Sequence, residues 1–202
     1  MGARRRFRGR IAGVGSSSGV RVVVGWWHES PFGAFGDAMV ERAEGHRVLL
    51  APSEEVAALV STTYVFDEVR VEPFTVDAGA QAWAVASPSL ELRLTIGGRM
   101  PLGRLLGMVP RALAESPTWA TLVDPVARAA MHGVRTRGAA REGRREFYGA
   151  TDVREVTSLE GRLDGIRLGD LRTVDPPCRF GFSSTPRHPS VTDVVTTIVD
   201  TA

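Results

Sequence analysis

Apolar residues at every second position recur along this chain, and this two-residue period limits which folds it can adopt. The clearest case lies between residues 90 and 96, where apolar side chains alternate with polar ones. Because successive side chains of a strand point to opposite faces, this pattern predicts a strand with one buried and one exposed face. A second alternating stretch begins at Val20 and is apolar on both faces, which predicts a strand that is covered on both sides.

Two stretches have a helical period instead. Ser53 precedes Glu54 and Glu55 and then an apolar series at helical spacing, which predicts a capped helix. Residues 101–132 form a second helical region, which Pro110 should end or kink. The predicted buried stripe of this region is Leu102, Leu105, Leu106, Val109 and Leu113.

Strand patterns lie on both sides of the helical region, without the regular strand and helix alternation of parallel sheets. This order predicts an α+β protein with a mainly antiparallel sheet, curved or closed into a barrel, and a short helical insertion. A dinucleotide-binding fold is disfavoured because no Gly-x-Gly-x-x-Gly motif stands between a strand and a helix.

The start of the chain differs in composition from the rest. Five arginines and no acid occur within residues 1–10, and a glycine- and serine-rich segment follows. We expect a flexible basic tail over residues 1–18 and a single α+β barrel-like domain over residues 19–202. No apolar run approaches the ~20 residues of a membrane-spanning helix, and no signal-peptide core follows the arginines. We therefore predict a cytoplasmic protein with no membrane partner.

The residues that are missing or rare exclude several kinds of chemistry. The 25 basic residues are all arginines, so Schiff-base catalysis and a phosphate-binding P-loop lysine are excluded. The single cysteine, Cys178, cannot form an internal disulfide and is expected to be buried. The four histidines are scattered without the spacing of metal ligands. We predict no metal and no cofactor.

Residues 26–37 combine four aromatic rings with a few polar groups, which is typical of a small-molecule cavity. An acid held against such walls would have a raised pKa and could donate a proton. Asp37 is the predicted catalytic acid and Trp27 a predicted ligand contact, with Trp83 as a second ring. Glu91 is a further candidate acid: its side chain lies on the face opposite the leucines of its strand and points either into a barrel or into solvent.

The densest basic stretch runs from residue 135 to residue 146 and ends beside Tyr148. Guanidinium groups form bidentate hydrogen bonds with carboxylates, and the phenol of Tyr148 could add a donor, so the stretch could form an anion site. The alternative is a solvated connection with an ordinary salt bridge. Arg145 and Arg179 are the candidate counter-ions. Nucleic acid is disfavoured because few aromatic residues are interleaved with these arginines.

Residues 30–40, Ser-Pro-Phe-Gly-Ala-Phe-Gly-Asp-Ala-Met-Val, are followed by a hairpin and by strands around helices. The segment resembles the acetoacetate decarboxylase-like superfamily, in which a Gly-Pro-Tyr-like turn opens a strand that ends at an acidic position. The resemblance implies a cone-like antiparallel barrel with an interior cavity, and it places Asp37 at the acidic position. In that family an interior lysine forms a Schiff base with a β-keto acid. This chain has no lysine, so the decarboxylation chemistry is not implied.

The predicted function is binding of a small anionic molecule, a carboxylate, in an aromatic cavity, with one of the two named arginines as counter-ion. If the protein is an enzyme, Asp37 or Glu91 with Tyr148 would transfer a proton on a carbonyl compound, as in a dehydratase or an aldol-type lyase. Two alternatives stay open. One is a ligand-binding module without catalysis, and the other is an interaction protein whose helices in residues 101–132 form a homo-oligomer face.

Overall fold

The computed structural model describes residues 4–130, 134–140 and 144–200. The strands before the helical insertion are β1 (Arg4–Ser16), β2 (Arg21–Glu29), β3 (Phe35–Glu41), β4 (Arg47–Ala51), β5 (Glu68–Val71), β6 (Thr75–Ala78), β7 (Ala82–Ala86) and β8 (Leu90–Arg99). The helices are α1 (Glu54–Thr63), between β4 and β5, and then α2 (Pro101–Leu106), α3 (Arg111–Ala114) and α4 (Pro117–Ala130). The remaining strands are β9 (Arg137–Ala140), β10 (Arg144–Leu163), β11 (Ile166–Arg167), β12 (Leu171–Arg172) and β13 (Ser190–Asp200).

The described strands form one sheet in the order β5-β4-β3-β2-β1-β13-β10-β8-β7-β6, with β9 and β11 beside β10 and β12 beside β1. The described pairs are antiparallel apart from β4 and β5, which are parallel and are joined through α1. Val76 of β6 packs so close to β3 that a Cβ added to Gly36 would lie 2.5 Å from it, so the β6 end of the sheet curls back onto β3. The predicted α+β class, with a curved and mainly antiparallel sheet, is confirmed.

One face of every long strand packs inside the curl. In β8 the four apolar residues of the alternating pattern are buried and the polar residues between them are exposed, as predicted. This inner core includes Val22, Val24, Ala38, Val40, Val48, Leu50, Trp83, Leu92, Leu94, Val156 and Leu159. The described part of the curl therefore has an apolar core, and the guanidinium of Arg10 lies over the rings of Trp26 and Trp83, 4.8 Å and 5.8 Å from their centroids.

The prediction of a flexible tail is wrong for residues 4–16. These residues form β1, which lies in the middle of the sheet and pairs with β2 on one side and β13 on the other. Arg6 and Arg8 flank Phe7, whose side chain points to the opposite face of the strand and is buried. Arg6 and Arg8 are also paired, because both donate to the carboxylate of Glu115, at 2.5 Å and 2.9 Å.

The helix α1 forms as its sequence predicts. The Oγ of Ser53 accepts a hydrogen bond from the backbone N–H of Val56 at 3.3 Å, which satisfies one of the free donors of the first turn. Val56, Leu59 and Thr63 are buried against the sheet. This helix therefore covers the face of β3 and β4 that points away from the inner core.

The helical insertion packs less tightly than its period predicts. Pro110 separates α2 from α3, and Leu105 and Leu113, which belong to the predicted buried stripe, are 59% and 45% exposed. The helices of the described residues are all too short or too polar to cross a lipid bilayer.

Candidate functional site

A pocket lies on the outer face of the sheet, beneath α1, and we name it the α1 pocket. Its lining residues on β2 and β3 alternate with those of the inner core, so the pocket is on the opposite face. The lining consists of Phe7, Ile11, Val23, Gly25, Trp27, Phe35, Asp37, Met39, Leu59, Val60, Thr63, Tyr64, Glu146, Thr196 and Ile198. The cavity has a volume of about 60 Å³, which is room for a small molecule only.

The register of β2 and β3 builds one end of the pocket. Gly25 lies opposite Asp37 and Trp27 lies opposite Phe35, and all four residues share the pocket face. The indole Nε1 of Trp27 donates to Oδ1 of Asp37 at 3.0 Å. A Cβ added to Gly25 would lie 2.4 Å from this Oδ1 and 2.7 Å from the indole nitrogen. Only glycine therefore leaves space for the hydrogen bond.

Asp37 is 5% exposed. Burial raises its pKa from 3.8 to about 7, and the hydrogen bond from Trp27 partly opposes this rise. A group with this pKa is present in both protonation states near neutral pH, which is the condition for general acid–base catalysis.

A second buried acid, Glu146 on β10, also lines the pocket and is 4% exposed. Burial raises its pKa to about 7, opposed by hydrogen bonds from Tyr148 and Tyr64. The Tyr64 hydroxyl donates to Oε2 of Glu146 at 3.5 Å, and the hydroxyls of Tyr64 and Tyr148 are hydrogen-bonded to each other. Burial raises the Tyr64 pKa, and so do the charges of Glu146 and Asp37. Both acids are thus within electrostatic reach of one phenol.

Thr196 supplies a further polar atom. It lies on β13 between Phe7 of β1 and Tyr148 of β10, and its side chain is 3% exposed. Its hydroxyl oxygen is buried and has no hydrogen-bond partner in the described structure. An unsatisfied buried hydroxyl costs about 1–3 kcal/mol, so a bound molecule that hydrogen-bonds to it would recover that cost.

The structure brings together three of the residues predicted for the site. Asp37 and Trp27 line the α1 pocket, and Tyr148 contacts Tyr64 at its edge. Glu91 is exposed on β8, away from this lining. Trp83 is 1% exposed, packs in the inner core and does not line the α1 pocket.

The two predicted counter-ions also lie outside the pocket. Arg145 is exposed, and Arg179 donates its backbone N–H and its Nε to Glu41, at 2.8 Å and 3.2 Å. Among the described residues, no arginine lines the α1 pocket. The expected anionic ligand therefore has no counter-ion there.

Sequence reasoning missed Glu146, Tyr64 and Thr196. Glu146 shares strand parity with Tyr148, and this spacing could have placed both side chains on one face. Tyr64 directly follows α1, and Thr196 lies in a run of β-branched residues, so neither carries a local signal of function.

Cys178 is buried, as expected, and burial raises its thiol pKa to about 12. It is therefore a structural thiol rather than a nucleophile at neutral pH. In the described parts of the chain, no three His, Cys, Asp or Glu side chains gather in a way that could hold a metal ion.

We expect the free energy of unfolding to fall as the pH rises from about 4 to about 7. The pKa values of Asp37 and Glu146 are raised on folding, so the folded state binds more protons in this range than the unfolded state. The stabilisation is complete below the unfolded pKa values and is lost as the pH rises through about 7. Each group contributes a slope of at most about 1.4 kcal/mol per pH unit.

Urea denaturation at closely spaced pH values measures this slope. Asp37→Asn and Glu146→Gln should each flatten it, whereas Glu91→Gln, which removes an exposed carboxyl, should not. A profile that is flat or rises over this range in the unchanged protein would contradict the assignment.

The fold and the pocket define an α+β protein with a curled antiparallel sheet and an acidic, aromatic pocket under its first helix. No protein-family model and no curated protein matches the sequence. The crystal structure of acetoacetate decarboxylase from Legionella pneumophila subsp. pneumophila str. Philadelphia 1 is similar, with a TM-score of 0.42 and 6% sequence identity over 98% of this chain and 85% of that chain. This is a weak relationship of fold alone.

Proposed function

We propose that the protein binds a small organic molecule in the α1 pocket and exchanges protons with it through Asp37 and Glu146. The observation that carries this proposal is the presence of two buried carboxyl groups in one aromatic pocket, without a cationic partner among the described lining residues. Buried acids with shifted pKa values in a cleft are typical of functional sites.

The chemistry that suits these groups is proton transfer next to a carbonyl group. An ionised carboxylate removes a proton from the carbon beside the carbonyl. The electron pair of that C–H bond forms the C=C bond of an enolate, and the π electron pair of the C=O bond moves to the oxygen. A phenol or a protonated carboxyl within reach donates a hydrogen bond to that oxygen. Glu146 in its protonated form can supply this donor, and Tyr64, whose hydroxyl donates to Glu146, orients that carboxyl group at the wall of the pocket.

Exchange of substrate hydrogen for deuterium tests this activity without knowledge of the natural substrate. A panel of small ketones and aldehydes is incubated with the protein in D2O, and NMR follows the loss of protons next to the carbonyl. We expect catalysed exchange for at least one compound. Glu146→Gln is expected to lower its rate by about 10²–10⁴-fold, the usual contribution of a general acid or base.

Glu91→Gln is the matched control, because it also removes a carboxyl but lies outside the α1 pocket. It should leave the exchange rate unchanged. Gly25→Ala keeps both carboxyl groups but intrudes on Asp37 and Trp27, so it should reduce exchange if the reaction takes place in this pocket. Equal loss of exchange in the Glu91 variant would contradict the proposal.

A ligand-binding module without catalysis is the second candidate. The unpartnered hydroxyl of Thr196 favours it, because a bound molecule would supply the missing hydrogen bond whether or not a reaction follows. Compounds that raise the melting temperature by binding in the α1 pocket, but show no catalysed exchange, would favour this candidate over the enzyme.

A further inference from the structure

The end of the α1 pocket near Asp37 is walled by aromatic rings. The centroid of the Phe7 ring lies 5.9 Å from that of Trp27, and the two rings are nearly perpendicular. The centroid of the Phe35 ring lies 6.4 Å from that of Trp27. The Trp27 indole is itself hydrogen-bonded to the Asp37 carboxyl. Three rings and one carboxyl group therefore surround the same space.

This space is suited to positive charge. The faces of aromatic rings carry negative potential and attract ammonium groups, most strongly where water is excluded. The polar atoms of the wall include carboxyl oxygens and the free oxygen of Thr196, which can accept hydrogen bonds. No described lining residue offers a guanidinium, imidazole or ammonium group to a negative ligand.

We infer that the α1 pocket selects a small organic ammonium ion over a carboxylate, with the positive nitrogen between Asp37 and the rings of Phe7, Trp27 and Phe35. This inference rests on the proposed function and names its ligand class. It also divides the roles of the two acids: Asp37 holds the charge of the ligand, and Glu146 with its tyrosines is left to transfer the proton.

The binding of an ammonium ion should depend on pH. Such a ligand stabilises the ionised form of Asp37, which burial otherwise disfavours, so binding below pH 7 must first remove a proton. Among the described residues, Tyr64 lies within electrostatic reach of Asp37, and Glu146 and Tyr148 are hydrogen-bonded to Tyr64. Tyr64 stays protonated over this range, because its pKa is raised well above 10.

Three probes of similar size and different charge test the inference: choline, its uncharged isostere 3,3-dimethyl-1-butanol, and butyrate. Calorimetry or ligand-observed NMR measures their affinities at pH 8 and at pH 5.5. We expect choline to bind at pH 8 at least about tenfold more tightly than its isostere, with butyrate weakest. Its advantage should shrink by about tenfold or more at pH 5.5.

Asp37→Asn should remove the preference for choline while the uncharged isostere still binds, and Glu91→Gln should preserve the preference. Equal or tighter binding of the isostere or of butyrate by the unchanged protein overturns the ammonium inference but leaves a small-molecule pocket in place. Binding of none of the three overturns the ammonium inference, whereas the proposed function fails only if the carbonyl panel also shows no exchange.

Discussion

Trp83→Ala is expected to lower the free energy of unfolding by about 3–5 kcal/mol, the usual cost of removing a large aromatic side chain from a core. Trp83 is 1% exposed and packs in the inner core with residues of β2, β3 and β8. The side chains around Trp83 come from strands that are held by hydrogen bonds in the curled sheet. These strands cannot fill the resulting cavity unless their backbones shift. Urea denaturation measures the loss.

Trp83→Phe separates the two contributions of this side chain. The indole Nε1 is buried and has no hydrogen-bond partner in the described structure, so phenylalanine removes an unsatisfied donor while retaining most of the apolar area. Its loss should be clearly smaller than that of alanine. Trp119→Ala on the partly exposed face of α4 is the control and should cost less than Trp83→Ala. If both alanine variants lose less than about 1 kcal/mol, Trp83 is not a core residue.

Glu41→Ala is expected to cost a similar amount, about 3–5 kcal/mol, because it leaves a buried charge without its partner. Glu41 is 0% exposed and lies 3.0 Å from the guanidinium of Arg21, whose side chain is 6% exposed. It also accepts the backbone N–H of Arg179 at 2.8 Å. The same carboxylate therefore neutralises a buried arginine and fastens the segment after β12 to β3.

Asp67→Ala is the matched control, because it breaks an ion pair with Arg47 whose two side chains are 25% and 39% exposed. Exposed pairs contribute about 0.2–1 kcal/mol, so this variant should unfold at nearly the same urea concentration as the unchanged protein. The double variant Arg21→Met with Glu41→Leu replaces both charges by apolar groups and should recover much of the loss of Glu41→Ala. Equal stability of Glu41→Ala and Asp67→Ala would contradict the buried ion pair.

The Trp83 and Glu41 variants both test residues that the sequence analysis connects with ligand binding. Trp83 is itself a predicted ligand contact, and Glu41 is hydrogen-bonded to another, Arg179. Trp83 and Arg179 have the chemistry of a binding site, a large ring and a guanidinium, but Trp83 packs in the inner core and Arg179 is hydrogen-bonded to Glu41. Residue type alone does not distinguish these roles, because rings and guanidinium groups serve cores and ion pairs as readily as ligands.

Local patterns predicted the elements that depend on local forces. The alternation in β8 and the cap and apolar stripe of α1 were read from the sequence because strand pleating and helix capping act within a few residues. Asp37 and Trp27 were found for a similar reason, since the hairpin of β2 and β3 joins them within one short segment.

The predictions that the structure contradicts concern forces between segments that are distant in the sequence. β1 was predicted to be flexible because five arginines dominate its first part, but pairing with β2 and β13 satisfies its backbone and Glu115 pairs two of its arginines. The stripe of the helical insertion was predicted to be buried because its period is helical, yet no described element covers Leu105.

The sequence by itself determined that this chain folds into an antiparallel sheet with one well-capped helix, and that its chemistry must do without lysine. Only the tertiary structure decided which face of that sheet carries the pocket, because strands that are apolar on both sides have no polar face to mark the outside. The meeting of Asp37, Glu146 and Thr196 was decided there as well. Their strands lie far apart in the sequence, and only the order and curl of the sheet place their side chains around one cavity.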